Sequence, residues 1–586
     1  MTVAYSTQEI KLQGISGSPG ICIGKAYLVD QEGVNVIEKY AIEAFDIQNE
    51  VNRFKKAVKK AKNALKKIID QTSEELRQHI RILETHLVLH QDKMLYEKTI
   101  ETIEKEKINA EWALKKVCSN IKEMFNEIPD PFLKSRIADV IQVADHIMRN
   151  LLGANPIDIG GINKRVILVA TDLSPADTSQ IKLDQVMGFI TDRGGRTSHT
   201  SIIARTLDIP AVLGLDQVTR LIKNDDILIV DGSSGLVIIN PSEETINQYQ
   251  KQKNRIERQK NIYVRESHLP ATTKDGSELI VLGNIELPEE VVSVLDKGGD
   301  GIGLFRSEFL YMSRADFPTE EELYDRFKDV IEVMFPKSVT IRTLDINGDK
   351  AILNAVQHDE ANPALGLRGI RFCLKRQDVF KSQIRAILRA AYYGHVKILF
   401  PMISCVEEII AANNLINECK NELYQEGKPF GEHIDVGIMI EVPSAVIMAD
   451  MLADFVDFFS IGTNDLIQYT MAIDRTNKSV AYLYQALHPS IIRMLKHIVT
   501  VSTDKKIGLC MCGEMAGDPV NLPILIGLGF KELSVNPTSI PVIKSITRQL
   551  TRQDTATIVN DALKQKTASD IFQLIKVAYG DTINLS

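Results

Sequence analysis

The stretch VDFFSIGTND, residues 456–465, combines a short apolar run with two polar side chains directly after it. The run Val456–Gly462 has the length and composition of a buried β-strand, and Asn464 and Asp465 follow it. Similar runs recur from about residue 270 onward, and helical stretches separate them, which is the alternation expected of a (β/α)8 barrel. The predicted barrel spans residues 269–586, and its eight strands are Glu278–Asn284, Gly301–Arg306, Val339–Asp345, Val396–Pro401, Asp435–Glu441, Val456–Gly462, Ile507–Cys512 and Glu532–Asn536.

The carboxyl ends of these predicted strands carry polar and reactive residues, and the chemistry of such barrels is located at that end. Arg306 in GLFRSE and Arg342 in IRTLD suit forked hydrogen bonding of a phosphate or a carboxylate. Either arginine alone is better explained by a surface ion pair, but two arginines at one barrel mouth favour an anion site. Arg368 in GLRGIR and Arg475 in AIDR could add positive charge to the same pocket.

Two carboxylates end neighbouring predicted strands, Glu441 in IMIEVP and Asp465 in GTNDL. Oxygen ligands without histidine suit a hard cation, and Mg²⁺ typically takes one or two carboxylates together with substrate oxygens. Paired carboxylates can also hydrolyse glycosides, but that chemistry fits poorly beside several arginines. The sequence therefore favours a phosphorylated, anionic substrate bound with Mg²⁺.

Cys512, in CMCGE, ends the seventh predicted strand directly before Gly513, and Cys510 shares its strand face. A lone cysteine is usually a small hydrophobic residue of the core. A thiol at a strand end could instead point into the barrel mouth and act as an acid or a nucleophile. Both interpretations stay open from the residues alone.

A second reactive pattern is GGRTSHTSIIAR, residues 194–205. The predicted strand Val186–Thr191 leads into a Gly-Gly turn, and an apolar helix is predicted from about Thr200. His199 would therefore lie at a helix amino terminus, where free N–H groups and the helix dipole favour an anion and disfavour imidazolium. A lone histidine is usually structural, but a neutral ring nitrogen in this context favours a phosphohistidine nucleophile. The neighbours that could assist it are Gly194, Gly195, Arg196, Thr197 and Ser198.

The first part of the chain has a different organisation from the barrel. Residues 1–35 and 151–241 hold short runs rich in Val, Ile, Gly and Pro, and we predict one α/β domain from them. Residues 36–150 contain little Gly or Pro and show helical periodicity, which predicts an inserted helical domain. Residues 242–268 are predicted to form an exposed linker helix, with Ser242 as its N-cap.

Composition and charge exclude several classes of protein. With 586 residues, 44% hydrophobic and 25% charged, the chain is long enough for several globular domains, and its net charge of −8 argues against a general nucleic-acid binder. The sequence has no apolar run of the roughly 18–20 residues that a membrane helix needs and no signal-peptide pattern at its start. Seven cysteines without CxxC spacing indicate free thiols in a reducing compartment, and we expect a cytoplasmic protein. The lysine-rich run Lys55–Lys67 is explained better as a solvated helix face than as a phosphate or nucleic-acid site.

Nine stretches, in the same order along the chain, resemble enzyme I of the bacterial phosphotransferase system, the phosphoenolpyruvate–protein phosphotransferase family. They are GISGSPG, ITDRGGRTSHTSIIAR, GIGLFRSEFLYM, IRTLDINGDK, NPALGLRGIR, LFPMI, EVPSA, FFSIGTNDLIQYTMAIDR and CMCGEMAGD. The resemblance covers almost the whole length, and several of the stretches are long and specific.

The resemblance implies roles for individual residues. It implies that His199 is phosphorylated on Nε2 and that Cys512 protonates the enolate. It also implies a swivelling phosphohistidine domain, an inserted helical domain that binds the phosphocarrier protein HPr, and a barrel that forms a homodimer. The implied ligands of phosphoenolpyruvate are Arg306, Arg342, Asn464, Asp465 and Arg475, and the implied ligands of Mg²⁺ are Glu441 and Asp465.

Three departures from the family pattern and three alternatives remain. The departures are Arg193 before the Gly-Gly pair, the stretch YQALHPS without a Pro after Gln485, and the pair Asn536-Pro537. A dikinase or synthase would need a nucleotide-binding domain, for which the segment before His199 is too short, and a non-catalytic regulatory relative would be expected to lose the arginines or the histidine. A nitrogen-branch homologue would carry an added N-terminal sensory domain, for which we see no room in the sequence.

Overall fold

The computed structural model of the chain describes residues 9–29, 39–43, 45–71, 86–87, 89–90, 92–126, 131–152, 164–173, 185–195, 200–201, 204, 209–311, 316–346, 362–475, 477 and 479–583. The chain divides into two compact units, Met1–Arg258 and Gln259–Ser586. None of the helices in these described ranges has the length and apolar character needed to cross a membrane.

The first unit contains a mixed eight-stranded sheet. Its strands follow the order β1-β8-β7-β3-β4-β5-β6-β2, and the neighbours from β3 to β6 run parallel. All five residues of the central strand β4 are buried, because both faces of a parallel region are covered. The bounds are β1 Ile10–Gln13, β2 Ile15–Ser18, β3 Ile21–Leu28, β4 Val166–Ala170, β5 Val186–Thr191, β6 Ala211–Leu213, β7 Ile227–Asp231 and β8 Leu236–Ile239. The predicted strand Val186–Thr191 is confirmed.

The helices of the first unit include a group with its own apolar core. Phe54, Val58, Ala61 and Leu65, which recur at helical spacing, are all buried. The neighbouring lysines of the same helix lie mostly on its exposed side, as predicted for a solvated face. The described helices that begin in this unit are Ile47–Gln71, Tyr96–Glu106, Ala110–Asn126, Pro131–Leu151, Val218–Leu221 and Glu243–Arg265.

The helix Glu243–Arg265 begins where the sequence predicts. The backbone N–H of Thr245 donates to Ser242 Oγ at 3.1 Å, so the serine caps the helix. Glu243 and Glu244 lie in the first turn, where negative side chains interact favourably with the helix dipole.

The second unit contains a closed barrel of eight parallel strands, as predicted. The strands pair in the order β11-β12-β13-β14-β15-β16-β17-β10, and β10 pairs with β11 to close the ring. A short strand β9, Ala271–Thr272, adds to β10 in the antiparallel direction. The barrel strands are β10 Glu278–Ile285, β11 Ile302–Arg306, β12 Val339–Arg342, β13 Val396–Phe400, β14 Asp435–Ile440, β15 Phe458–Ile461, β16 Gly508–Met511 and β17 Glu532–Val535.

All eight predicted barrel strands are present, and most differ from the prediction by one or two residues at an end. The largest difference is the strand predicted over Val339–Asp345, which ends at Arg342. Thr343 N still donates to Leu399 O at 3.0 Å, but the next N–H, of Leu344, donates to the side chain of Gln383 at 3.0 Å. The backbone therefore leaves the ladder here, which frees the residues that follow Arg342 for the barrel mouth.

Helices surround the barrel and share one large apolar core with the outward faces of its strands. The described α-helices of this unit are Val291–Asp296, Glu320–Met334, Ile370–Lys375, Gln377–Ala390, Val406–Gln425, Pro443–Ile447, Ala449–Leu452, Thr463–Met471, Pro489–Lys505, Leu522–Leu528, Ile540–Thr547, Arg552–Ala562 and Ala568–Tyr579.

Candidate active site at the barrel mouth

Two of the predicted anion-binding arginines end adjacent strands. Arg306 closes β11 and Arg342 closes β12, and the two residues are register partners in the parallel pairing. Arg306 Nη1 donates to Glu286 Oε1 at 2.6 Å, and about a third of the Arg306 side chain is exposed. The structure thus brings both guanidinium groups to the same edge of the barrel.

Arg342 is buried and paired with two carboxylates. Its Nη2 donates to Glu308, and its Nη1 lies 3.2 Å from Asp345 Oδ2. Although burial acts to lower the Arg342 pKa, the charges of Glu308, Asp345 and Glu441 raise it, so the guanidinium stays protonated. Arg342 Nε is buried and has no hydrogen-bond partner among the described residues.

Arg368 joins the same network. Its Nη2 donates to Asp345 Oδ2 at 3.0 Å and to Asp465 Oδ2 at 3.1 Å. Its Nη1 donates to the hydroxyl of Tyr469 at 3.1 Å. The structure therefore places the arginine of GLRGIR within the predicted site.

Three carboxylates converge beside these arginines. Asp345, Glu441 and Asp465 each offer one oxygen, and these oxygens lie within 4.8 Å of one another. Glu441 Oε1 also accepts from Met402 N at 2.6 Å, which fixes the direction of the carboxyl group. Because three oxygens on three different strand ends meet in this way, the residues fit a hard divalent cation.

The carboxyl groups of this cluster titrate differently. Burial, followed by the nearby charges of Asp465 and Asp345, raises the pKa of Glu441 well above its usual range. Burial also acts to raise the Asp345 pKa, but the charges of Arg342 and Arg368 lower it overall. Crowded acidic groups of this kind are relieved by a cation at their centre.

Sequence analysis did not single out Asp345 as a functional residue. The signal was present, because Asp345 stands three residues after Arg342 in IRTLD, in the motif that carries the resemblance. The predicted strand extends through Asp345, but the strand in the structure ends at Arg342. The Asp345 carboxylate can therefore pair with both Arg342 and Arg368.

Asn464 and Arg475 are joined by a carboxylate that the sequence analysis also missed. Glu514 Oε1 accepts from Asn464 Nδ2 at 3.0 Å and from Arg475 Nη1 at 3.3 Å. Glu514 N donates to Asn464 Oδ1 at 3.0 Å, so the contact is made in both directions. The loop after β16 thus holds two of the predicted substrate ligands together.

Cys512 lies directly after β16, with its thiol buried in the barrel. It contacts an apolar cluster contributed by four other strands, namely Leu304, Leu399, Met439 and Phe458. Burial raises the pKa of the Cys512 thiol, and a hydrogen bond from Ser460 acts in the opposite direction. A Cβ atom on the next residue, Gly513, would come within 1.9 Å of Thr463 Oγ1, so only glycine fits there.

His199 lies outside the described residues, together with Arg196, Thr197 and Ser198. The flanking positions are described. Gly194 has a φ of 111°, which favours glycine, and the buried Ser201 Oγ donates to Gly17 O at 3.0 Å. The GISGSPG stretch near the start of the chain thus contacts the segment that follows His199.

The three departures from the family pattern all lie in described positions. Arg193 N donates to Thr171 O at 2.9 Å. In YQALHPS, His488 caps the helix that begins at Pro489, and Asn536 Oδ1 accepts from Thr538 N at 3.0 Å. Both of the latter stretches therefore form local caps.

Three family models match the chain in succession. They are the N-terminal domain of PEP-utilising enzymes over residues 13–136, their mobile domain over 162–235, and their PEP-binding domain over 260–552. The last of these covers the barrel that carries the arginine and carboxylate cluster.

Curated relatives match over nearly the whole length. A phosphoenolpyruvate-protein phosphotransferase from Bacillus sp. (strain S) is 43% identical over 97% of this chain and 98% of its own. The proteins of the same name from Geobacillus stearothermophilus and Bacillus subtilis (strain 168) are 42% and 41% identical over 97% of this chain, and over 98% and 100% of their own lengths. The chain therefore belongs to the phosphoenolpyruvate-protein phosphotransferase family of PEP-utilising enzymes, as its motifs predict.

Proposed function

We propose that the protein transfers the phosphoryl group of phosphoenolpyruvate to His199 and then to the phosphocarrier protein HPr, the first step of sugar uptake by a phosphotransferase system. The observation that carries the proposal is the barrel mouth, where Arg306, Arg342 and Arg368 lie beside three converging carboxylates. Family membership supports the same reaction.

The arginines bind and orient the anionic substrate. Forked guanidinium groups bind phosphate or carboxylate oxygens through two hydrogen bonds, and the partly exposed Arg306 can present such a fork to the substrate. Asn464 and Arg475 complete the proposed substrate ligands. His199 Nε2 then forms a bond to phosphorus, and the bond from phosphorus to the enol oxygen breaks.

Asp345, Glu441 and Asp465 are the proposed ligands of Mg²⁺, of which Asp345 is added to the pair that the sequence predicts. When bound, Mg²⁺ neutralises developing negative charge on the enolate oxygen. The carboxylates also hold the arginines in place, since Arg368 contacts both Asp345 and Asp465.

Cys512 is the proposed acid. The enolate left by phosphoryl transfer gains a proton at carbon from the Cys512 thiol and becomes pyruvate, and the sulfur becomes a thiolate. Because the pKa of the buried thiol is raised, the thiol carries its proton near neutral pH.

The partners and domain assignments belong to the same proposal. Residues 1–35 and 151–241 form the phosphohistidine domain, residues 36–150 bind HPr, residues 242–268 are the linker, and residues 269–586 bind the substrate and form a homodimer. Direct transfer needs His199 within about 3 to 3.5 Å of phosphorus, so the phosphohistidine domain must move between the barrel and HPr. The protein acts in the cytoplasm, where phosphoenolpyruvate is available.

The overall reaction is tested by incubating the full chain with phosphoenolpyruvate labelled in the phosphoryl group. We expect stoichiometric label that is stable in base and labile in acid, that requires Mg²⁺, and that passes to added HPr. Chelation of divalent cations before substrate is added should prevent labelling. Label that forms equally well without divalent cation, or that does not pass to HPr, would contradict the proposal.

Substitution of the proposed acid should separate the two half-reactions. In Cys512→Ala, phosphorylation from phosphoenolpyruvate should slow about 10²- to 10⁴-fold, as for loss of a general acid. Phosphoryl exchange between His199 and HPr should stay near normal, because it does not use the barrel. Cys510→Ala is the matched control, since Cys510 is also buried and lies in β16, two residues before Cys512. If Cys512→Ala slows neither step, the thiol only packs in the core.

A further inference from the structure

Ser460 is one of several buried polar side chains on the barrel strands, together with Thr340 and Ser534. Ser460 lies in β15, is fully buried, and lies on the same strand face as Phe458. Phe458 belongs to the same buried apolar cluster as Leu304, Leu399, Met439 and Cys512. The Ser534 hydroxyl donates to Asn284 Oδ1 at 2.6 Å, whereas the Ser460 hydroxyl has a sulfur as its partner.

The hydroxyl of Ser460 is directed at the thiol. Ser460 Oγ donates to Cys512 Sγ at 3.2 Å. A buried hydroxyl costs free energy unless it is hydrogen-bonded, and sulfur of a neutral thiol is a weak acceptor. The same hydrogen bond becomes much stronger when the sulfur carries a negative charge.

The thiol proton is held only loosely. Cys512 Sγ donates to Ile461 O at 3.5 Å, but this carbonyl already accepts from Cys512 N at 3.1 Å and from Gly513 N at 3.2 Å. The S–H group can therefore turn toward a substrate at small cost, whereas the Ser460 contact to the sulfur stays in place.

We propose that Ser460 is a positioning residue that donates a hydrogen bond to the Cys512 thiolate formed when the thiol gives its proton to the enolate carbon. The inference rests on the proposed role of Cys512. In the forward step the S–H bond breaks, a C–H bond forms, and the electron pair left on sulfur is stabilised by the Ser460 hydroxyl. In reverse, a methyl proton of pyruvate passes to the thiolate and the enolate forms.

Other charged and titratable groups also act on this sulfur. The positive charges of Arg342 and Arg306 favour the Cys512 thiolate, and the negative charge of Glu441 disfavours it. A thiolate at Cys512 also raises the pKa of Cys510, two residues earlier. All of these groups are retained in a Ser460 variant, so a change in that variant reports the hydroxyl.

The test follows the exchange of pyruvate methyl hydrogens for deuterium in D₂O by proton NMR, with the full chain and Mg²⁺. Between about pH 7 and 9 the exchange rate of the wild type should rise with pH, because only the thiolate can accept the methyl proton. Because the variant lacks a hydrogen bond to a charged sulfur, exchange in Ser460→Ala should be roughly tenfold or more slower at each pH, with a parallel pH profile. The pyruvate concentration at half saturation should stay near that of the wild type.

Two further variants distinguish positioning from packing. Ser460→Thr keeps the hydroxyl and should restore most of the exchange. Ser502→Ala removes a buried serine of the helix Pro489–Lys505, whose hydroxyl donates to Val499 O at 3.0 Å, and should leave the profile unchanged.

The outcomes separate the two hypotheses. Absent exchange in the wild type, or full exchange in Cys512→Ala, would remove the proposed role of Cys512 and with it this inference. Exchange that depends on Cys512 but is unchanged in Ser460→Ala would overturn the role of Ser460 alone. Equal losses in Ser460→Ala and Ser460→Thr, with weakened pyruvate binding, would show that Ser460 only packs.

Discussion

Replacement of Arg342 by methionine is expected to slow phosphorylation from phosphoenolpyruvate about 10²- to 10³-fold and to destabilise the barrel at the same time. Arg342 contacts the carboxylates of Glu308 and Asp345, and all three side chains are nearly inaccessible. Removing one partner of a buried ion pair leaves an uncompensated charge and costs about 3 to 5 kcal/mol. We expect the free energy of unfolding, measured with urea on the full chain in the transition of the barrel, to fall by that amount.

A second variant is needed to separate the slower phosphorylation of Arg342→Met from its loss of stability. In the double variant Glu308→Gln/Arg342→Met one of the two buried carboxylates is made neutral, so part of the lost stability should return. Phosphorylation should not return, because the neutral pair has no guanidinium for the substrate, and loss of such a charged donor slows a reaction by about 10² to 10³-fold.

Arg389→Met provides the matched control. Arg389 is similarly buried and pairs with Glu320 and Glu321, but it lies on a helix outside the barrel mouth. The Arg389→Met variant should have a lower free energy of unfolding than the wild type. At a temperature where the variant is folded, it should be phosphorylated at the rate of the wild type. A double variant that regains activity together with stability would show that Arg342 supports only the fold.

The barrel could be predicted from sequence because its signals are local. Each strand is a short apolar run between helical stretches, and runs such as Phe458–Ile461 are buried on both faces, so their composition alone identifies them. The residues at the strand ends follow from this placement, which is why the sequence pattern alone predicts that Arg306, Arg342 and Glu441 share one barrel mouth.

The pairing of side chains across the mouth could not be predicted in this way. Glu514 joins Asn464 and Arg475 from 50 and 39 residues away, and Ser460 reaches Cys512 across 52 residues. Such contacts depend on which strands are neighbours and on side-chain directions, neither of which a local pattern records. Asp345 was missed for a related reason, since the point at which β12 leaves its ladder is set by the Gln383 side chain on another element.

Replacement of His199 by alanine should have the largest effect of any single substitution. If His199 carries the phosphoryl group, its loss removes the nucleophile itself, and labelling from phosphoenolpyruvate should fall by at least about 10⁴-fold, to background. Transfer from phosphorylated HPr back to the chain should be lost to the same extent, since both half-reactions pass through the same nitrogen. This double loss distinguishes His199 from Cys512 and Arg342, whose substitution affects only the reaction with phosphoenolpyruvate.

The barrel of this variant remains informative because it lies in the other compact unit. His199→Ala should still exchange the methyl hydrogens of pyruvate for deuterium at the rate of the wild type, since the group proposed to exchange these protons is the Cys512 thiol and not the histidine. His433→Ala, which removes an exposed histidine of the barrel unit, should be labelled normally. Label that persists in His199→Ala would place the phosphorylated residue elsewhere. If pyruvate exchange is lost together with labelling, the substitution damages the barrel, and the missing label then does not identify the nucleophile.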